Sequence, residues 1–235
     1  MSCFAICVSG QQPFYQNFLV EDGLPSATVY DIEQDHEGFI WFGTEAGVAR
    51  FDGLSFISFS KEDGLADNEV FDIYEDHIGR IWFYPFNKKL SYYLEGKIYN
   101  ASNDSLLSLK TSGYFKSGIQ TPQNDLFIGS TGKNLVFIAT DTSAVIKTEF
   151  RPIRLIRFEN NLLIYSDGKS ICKATFNFSN KVPVLLSETK LEDTLPHVLS
   201  KIEFEPYSPT DSITDTEGNV WISTLGNGVF MQTYE

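Results

Sequence analysis

One motif, Asp-x-x-Gly-x-Ile/Val-Trp, occurs three times in this sequence and constrains the fold more than any other feature. Its aspartate suits the first position of a turn, where it accepts local backbone N–H bonds, and its glycine permits a left-handed backbone at the fourth. Its tryptophan lies in an apolar run, which predicts a short strand buried on both faces. The recurrence indicates a repeat protein. The anchoring positions are Asp35, Gly38, Trp41, Asp76, Gly79, Trp82, Asp215, Gly218 and Trp221.

The spacing of the motif defines the repeat unit. Trp41 and Trp82 are 41 residues apart, and the chain around them reads as short strands joined by tight turns. Four antiparallel strands in about 40–45 residues make one blade of a β-propeller. The sequence therefore predicts an all-β chain, a β-propeller of about five blades, at 26–60, 67–100, 113–149, 153–187 and from 215 onwards. Both a closed five-bladed ring and part of a larger ring fit this count.

The first strand-like segment has no partner in the first blade. Residues 14–20 read as a strand, and the fifth repeat supplies three strands of its own. We therefore expect the N-terminal strand to complete the fifth blade and close the ring. The step from the fourth repeat to Trp221 is longer than the others, which predicts an insertion or a long outer strand within 175–209.

Charge and hydropathy exclude several classes of partner. The net charge is −13 and the isoelectric point is about 4.6. Nucleic acids and anionic membranes need clustered Lys and Arg, so neither is expected to bind. The sequence has no apolar run long enough for a transmembrane helix.

The N-terminus and the cysteines carry little chemistry of their own. Residues 1–12 read as the remnant of a secretory signal peptide or as a disordered N-terminus, and 13–235 as the propeller domain. Cys172 is predicted to be a small core residue within a strand. No Cys-x-x-Cys pair suggests zinc or thiol redox chemistry.

Residues of the first repeat resemble the two-component regulator propeller repeat. This resemblance implies the periplasmic sensor region of a bacterial membrane-bound histidine kinase, of the kind common in Bacteroidetes. It also implies a non-catalytic function for this chain, because the immunoglobulin-like module, membrane span and kinase core of the family are not in this sequence. The matching residues are Gly23, Leu24, Pro25, Val29, Ile32, Asp35, Gly38, Trp41, Gly43, Thr44, Gly47, Val48, Arg50 and Phe51.

The motif residues themselves are better explained by structure than by chemistry. The three tryptophans could stack on sugars, but their apolar neighbours favour a core between blades. The aspartates are expected to anchor turns rather than to catalyse a reaction. His36 and His77 recur at equivalent turns on adjacent blades, too far apart for one ion. No catalytic, phosphate-binding or metal motif is present, so no cofactor and no metal are expected.

The second blade offers the best candidates for ligand contact. Tyr84, Phe86 and Asn87 stand where the first blade has a small glycine-rich turn, on the face where propellers usually bind ligands. An aromatic ring and an amide suit a sugar or a peptide, although an aromatic plug against the channel or a neighbouring blade explains them equally well. Glu45 and Asn68 are secondary candidates at equivalent rim positions.

Three functional hypotheses remain open at this point. The favoured one is a periplasmic sensor whose rim recognises an envelope ligand, a glycan or a peptide. The second is a propeller enzyme, a glycan lyase or hydrolase, which would need convergent polar groups in the channel. The third is a dimerisation scaffold, compatible with the first, which would need a large exposed apolar patch.

Overall fold

The computed structural model of the protein describes residues 15–191 and 209–233. Residues 1–12, the predicted signal remnant, and residues 192–208 of the predicted insertion lie outside the described residues. Two short 3₁₀ helices, Val20–Asp22 and Ser105–Leu107, interrupt a chain of strands. The strands are β1 (Tyr15–Phe18), β2 (Val29–Gln34), β3 (Ile40–Thr44), β4 (Val48–Phe51), β5 (Phe56–Phe59), β6 (Val70–Glu75), β7 (Ile81–Pro85), β8 (Ser91–Leu94), β9 (Lys97–Asn100), β10 (Phe115–Gln120), β11 (Leu126–Ser130), β12 (Asn134–Ile138), β13 (Ser143–Lys147), β14 (Arg154–Glu159), β15 (Leu162–Ser166), β16 (Ile171–Asn177), β17 (Val184–Lys190), β18 (Pro209–Thr214), β19 (Val220–Thr224) and β20 (Val229–Gln232).

These strands form five antiparallel sheets of four strands each, which confirms the predicted all-β propeller of about five blades. Blade one is β2-β3-β4-β5, blade two β6-β7-β8-β9, blade three β10-β11-β12-β13 and blade four β14-β15-β16-β17. Part of the predicted long outer strand is present as β17, which has seven residues. Among the described helices, none has the length or the apolar character needed to cross a membrane.

Blade five is assembled from both ends of the chain, with the order β1-β20-β19-β18. The N-terminal strand β1 pairs with β20, and Tyr15 lies opposite Gln232 and Phe18 opposite Val229. The prediction that this strand completes the fifth blade is therefore confirmed. The pairing covers the edge of β20 and joins the two terminal parts of the described chain in one blade.

The motif aspartates anchor turns and also bind their own tryptophans. In blade one, Asp35 accepts backbone N–H bonds from Glu37 and Phe39 at 3.0 and 2.9 Å. Its second carboxylate oxygen accepts the indole N–H of Trp41 at 2.7 Å. Asp76 with Trp82, and Asp215 with Trp221, repeat the arrangement at 2.8 and 2.7 Å. One carboxylate thus satisfies a turn and a buried indole donor together.

Blades three and four close the same turn without that pair. In blade three the hydroxyl of Thr121 accepts backbone N–H bonds from Gln123 and Asp125. Phe127 replaces the tryptophan and is fully buried, and its ring has no N–H donor for a carboxylate to satisfy. In blade four Asn160 and Asn161 both have positive φ and make a two-residue hairpin turn.

The hydrophobic core lies between blades rather than within them. The motif tryptophans point toward the next blade: Trp41 lies 5.8 Å from Phe83 of blade two, and Trp221 lies 5.9 Å from Phe42 of blade one. Both tryptophans are almost completely buried, as predicted. Cys172, also predicted to be a core residue, is buried in the cluster between blades three and four.

The inner strands β18, β2, β6, β10 and β14 pack side by side in that order. Each carries an irregularity in pairing near its start, after Val29 in blade one and after Val70 in blade two. A bulge of this kind redirects a side chain away from the alternating pattern of a strand. The residues around these bulges line the central channel and one rim of the ring, which are the two regions considered for function.

Candidate functional site

The five predicted contact residues have different surroundings in the structure. Tyr84 does not lie on the rim: its side chain is fully buried between blades two and three, so the placement of Tyr84 on the ligand-binding face is wrong. The physical reason is that Tyr84 belongs to β7 and faces the neighbouring blade, as the plug interpretation allowed. Phe86, beyond the end of that strand, is 46% exposed and does lie on the rim.

The remaining three predicted residues have mixed surroundings. The amide of Asn87 donates to the Ala66 carbonyl at 2.5 Å, and the Asn68 side chain accepts the Lys61 N–H at 2.8 Å. Both side chains therefore support local loops. Glu45 is exposed and its charge acts on the hydroxyl of Tyr30, which places it beside the rim aromatic residues described next. Ligand contact by these residues stays a prediction.

Four aromatic rings form a continuous row on the rim of blades one to three. We call Tyr30, Phe71, Phe86 and Tyr114 the aromatic row. Successive ring centroids are 4.5, 5.6 and 4.0 Å apart, and the last pair is stacked. Tyr30 and Phe71 occupy the bulge positions of β2 and β6, so the bulges direct them to this face.

Charged groups flank the aromatic row. The Tyr30 hydroxyl donates a hydrogen bond to the Glu69 carboxylate at 3.1 Å. The pKa of Tyr30 is raised to about 12, mainly by partial burial and secondly by Glu69. Lys116 lies 5.4 Å from the ring of Phe71, in the middle of the row, and Lys88 lies 5.9 Å from the ring of Tyr114 at its other end. An apolar surface bordered by both donors and acceptors suits a ligand with apolar faces and polar edges.

A second region, in the channel, contains carboxylates that the sequence reading did not identify. Asp31, Asp72 and Asp211 occupy equivalent positions near the starts of three inner strands, with Ser117 in blade three. Asp211 accepts the Ile32 N–H at 3.4 Å, and Asp31 accepts the Ile73 N–H at 2.6 Å.

Ser117 likewise accepts the Leu155 N–H at 3.1 Å. Three of the four positions thus bond to the backbone of the following blade.

Asp72 is the exception, since its side chain makes no hydrogen bond to any residue in the described part of the chain. Its carboxylate instead lines a cavity of about 380 Å³ in the channel, together with Tyr74, Lys116, Ser117, Gly118, Ile153 and Arg154. We call this the channel cavity. It lies where blades two, three and four meet.

Burial and mutual repulsion perturb the carboxyl groups of the channel. Burial raises the pKa of Asp72 to about 8, with Lys116 opposing the shift and Asp211 adding to it. The pKa of Asp31 is raised well above its ordinary value, mainly by burial and secondly by electrostatic repulsion from Asp72 and Asp211. Burial and the neighbouring Glu75 raise the pKa of Glu33 to about 7. Perturbed carboxyl groups around a cavity are a recognised mark of functional sites.

A signal for these carboxylates was present in the sequence. Asp31, Asp72 and Asp211 each lie ten residues before a motif tryptophan. The repeat spacing therefore put them at one position of each inner strand, and that position faces the channel. Among the described residues, no group of three or more His, Cys, Asp or Glu side chains is arranged to hold a metal ion.

Comparison with protein families identifies the repeat. The family model for the two component regulator propeller matches residues 23–46 and 64–83, in blades one and two. No curated protein sequence matches the chain.

Comparison with solved structures supports the fold. Two structures of extracellular domains from B. thetaiotaomicron are similar, one described as a one component system and one as a hybrid two component system. Their identities are 16% and 15%, the TM-score is 0.53 for each, and 88% of this chain is covered. The chain spans only 28% and 27% of their lengths.

A streptogramin B lyase is also similar, at 14% identity and a TM-score of 0.58, over 94% of this chain and 70% of the lyase. At these identities the likenesses show the propeller fold alone.

Proposed function

We propose that this chain, which carries repeats of the two component regulator propeller family, is a non-catalytic sensor region that binds an envelope ligand on the rim of its propeller. The observation that carries the proposal is the aromatic row. Its rings lie on one face within stacking distance of each other. Partly exposed rings in a row are unusual for a residue type that proteins otherwise bury.

The proposed location is the periplasm or the cell exterior. Support comes from two of the similar structures, which are extracellular domains. The ligand class we propose is a glycan or a peptide. Either offers apolar faces for the rings and hydrogen-bonding groups for Glu69, Glu45 and the flanking lysines.

A thermal-shift screen against envelope oligosaccharides and peptides tests this proposal. A ligand that prefers the folded state raises the melting temperature. We expect Phe86→Ala to reduce the shift because it removes the most exposed ring of the row, and the control Leu54→Ala, at a side chain 94% exposed in another blade, to leave it intact. A shift that persists in Phe86→Ala would contradict rim binding.

Light scattering run on the same samples tests the dimer hypothesis. A tight dimer with no ligand response would favour a scaffold in place of a ligand sensor.

The perturbed carboxyl groups of the channel favour a second candidate, an enzyme that cleaves glycans. Two of the four acidic groups, Asp31 and Asp211, are already engaged with backbone N–H groups, which leaves Asp72 and Glu33 for chemistry. A reducing-end assay with the same oligosaccharides separates the candidates. Cleavage by the wild type that is lost in Asp72→Asn would establish the enzyme, and no cleavage is expected for the sensor.

A further inference from the structure

The channel cavity is lined by one acidic and two basic side chains that form no ion pair with one another. Asp72 lines one part of its wall, and Lys116 and Arg154 line another. The six ion pairs formed among the described residues include none of these three. Their charges are nevertheless close enough for Lys116 and Arg154 to act on the carboxyl group of Asp72. Lys116 and Arg154 are exposed and Asp72 is half-buried, so a ligand that enters from solvent can contact all three and supply both missing partners.

A further unsatisfied group lies next to the channel cavity, behind its wall. The hydroxyl of Tyr84 is fully buried and has no hydrogen-bond partner in the described part of the chain. It ends against Gly118, which itself lines the cavity, at 2.7 Å from the place that a β-carbon on Gly118 would occupy. A buried hydroxyl without a partner is uncommon and calls for an explanation such as a role in binding.

The inter-blade bonds show that the free carboxylate is particular to this position. Asp31 at the preceding blade junction is held by the Ile73 N–H, and Ser117 at the following one is held by the Leu155 N–H. At Asp72 the equivalent bond is absent from the described residues, and a cavity is present instead. The departure coincides with the cavity and with the unpartnered hydroxyl.

We propose that the channel cavity binds a small zwitterion, a free α-amino acid, with its ammonium group on Asp72 and its carboxylate on Lys116 and Arg154. Both contacts are charge-assisted hydrogen bonds, which are the stronger kind in proteins. The volume of about 380 Å³ lies at the small end of ligand pockets, which span about 300–1,000 Å³. The site shares Lys116 with the edge of the aromatic row, but Asp72 and Arg154 are not part of that row.

Calorimetric titration with matched small molecules tests the proposal. The probes are L-alanine, L-serine and L-glutamine, with L-lactate as the comparison because it keeps the size and carboxylate of alanine but has no ammonium group. We expect at least one amino acid to bind and L-lactate to bind about tenfold or more weakly than L-alanine. Equal binding of lactate and alanine would reduce the site to an anion site and overturn the proposal, as would no binding by any amino acid.

Variants assign the binding to the cavity. Asp72→Asn keeps the side-chain shape and is expected to weaken the amino acid about tenfold or more while leaving lactate unchanged. Arg154→Gln should weaken both. The matched control is Arg157→Gln on the same strand, since Arg157 is exposed and pairs with Glu159. Unchanged amino-acid affinity in Asp72→Asn would overturn the proposal.

Two expected results distinguish binding in the channel cavity from binding on the aromatic row. Phe86→Ala should not alter amino-acid binding, and Asp72→Asn should not alter the response to a glycan or peptide on the aromatic row. The failure of either proposal therefore leaves the other to be judged on its own data.

Discussion

The junction between blades one and two and the junction between blades two and three are built from similar strands, and one of the differences between them is a glycine replaced by a tyrosine at one position. In blade one that position is Gly43, which lies opposite Asp31; in blade two it is Tyr84, opposite Asp72. A β-carbon on Gly43 would meet the Val70 carbonyl at 2.8 Å, so the glycine allows the next blade to approach closely.

At the second junction a tyrosine side chain stands between the blades in place of that close approach. Its hydroxyl reaches Gly118, which has no side chain to obstruct it. Asp31 bonds to the next backbone at 2.6 Å, whereas Asp72 lines a cavity. The same Asp–Trp turn therefore recurs in both blades, while the carboxylate is bonded to the next blade where a glycine stands opposite it and lines a cavity where a tyrosine stands opposite it.

Among substitutions at these two junctions, truncation of Tyr84 should change the free energy of unfolding most. Tyr84→Ala removes a fully buried ring and is expected to lower the free energy of unfolding by about 3–5 kcal/mol, as for other buried aromatic residues. Urea unfolding measures the loss. Phe86→Ala, two residues along and 46% exposed, is the control and should cost much less. Equal losses in the two variants would contradict the burial of Tyr84.

Gly118→Ala should disturb the second junction from the opposite side. Its new methyl group would lie 2.7 Å from the Tyr84 hydroxyl and 2.8 Å from the Tyr74 ring. We expect a loss of about 1–3 kcal/mol from overpacking. Tyr84→Phe removes the hydroxyl and should recover part of this loss, because only the contact with Tyr74 remains. No recovery in the double variant would show that the hydroxyl does not limit the space at Gly118.

The same substitution at Asp31 and at Asp72 should have different effects on the free energy of unfolding. Asp31→Ala leaves the Ile73 N–H without its acceptor and is expected to cost about 1–3 kcal/mol. Asp72→Ala breaks no hydrogen bond in the described residues and removes a buried charge, so it should be neutral or stabilising at pH 8.5. Chemical unfolding of both variants at that pH gives the difference, and a larger loss at Asp72 would contradict the assignment of its surroundings.

The channel carboxyl groups should make the stability of the fold fall as pH rises. This effect is smaller than the preceding ones and is spread over several pH units. The pKa of Asp72 rises from 3.8 to about 8 and that of Glu33 from 4.5 to about 7 on folding. Between these limits the folded chain holds protons that the unfolded chain has released, so stability declines with pH. Thermal unfolding should therefore give a higher melting temperature at pH 5 than at pH 8.

Asp72→Asn is the control for this dependence and should flatten it without abolishing it, since Glu33 and Asp31 still titrate. A melting temperature that rises from pH 5 to pH 8 in the wild type would contradict the direction of these shifts.

Most of the fold followed from the repeat, because one turn and one buried strand recur at fixed spacing. The aspartate and tryptophan of the motif proved to be one hydrogen-bonded unit, as Asp35 and Trp41 show. The weaker repeats follow the same physics with different side chains, since Phe127 has no indole donor and Thr121 can close the turn alone. Periodicity therefore located blades three and four despite their different residues.

The site was predicted less well because it depends on contacts between blades. Phe86 could be placed on the rim from its turn, but Tyr84 could not, because its burial depends on Gly118 in another repeat. The channel aspartates share one repeat position, which the sequence shows. That Asp72 alone is free of a backbone bond could not be read from spacing, since Asp31 and Asp72 have the same repeat position.

The most direct test of this account is the ionisation of Asp72, followed by carboxyl-carbon NMR of protein labelled at aspartate. The resonance of Asp72 is identified by its loss in Asp72→Asn. The account predicts that it titrates near pH 8 and that its shift changes when L-alanine is added at constant pH. A titration near pH 4, as for an exposed aspartate, would show that the carboxyl group is not held in the channel cavity, and the contrast between the two junctions would then be wrong.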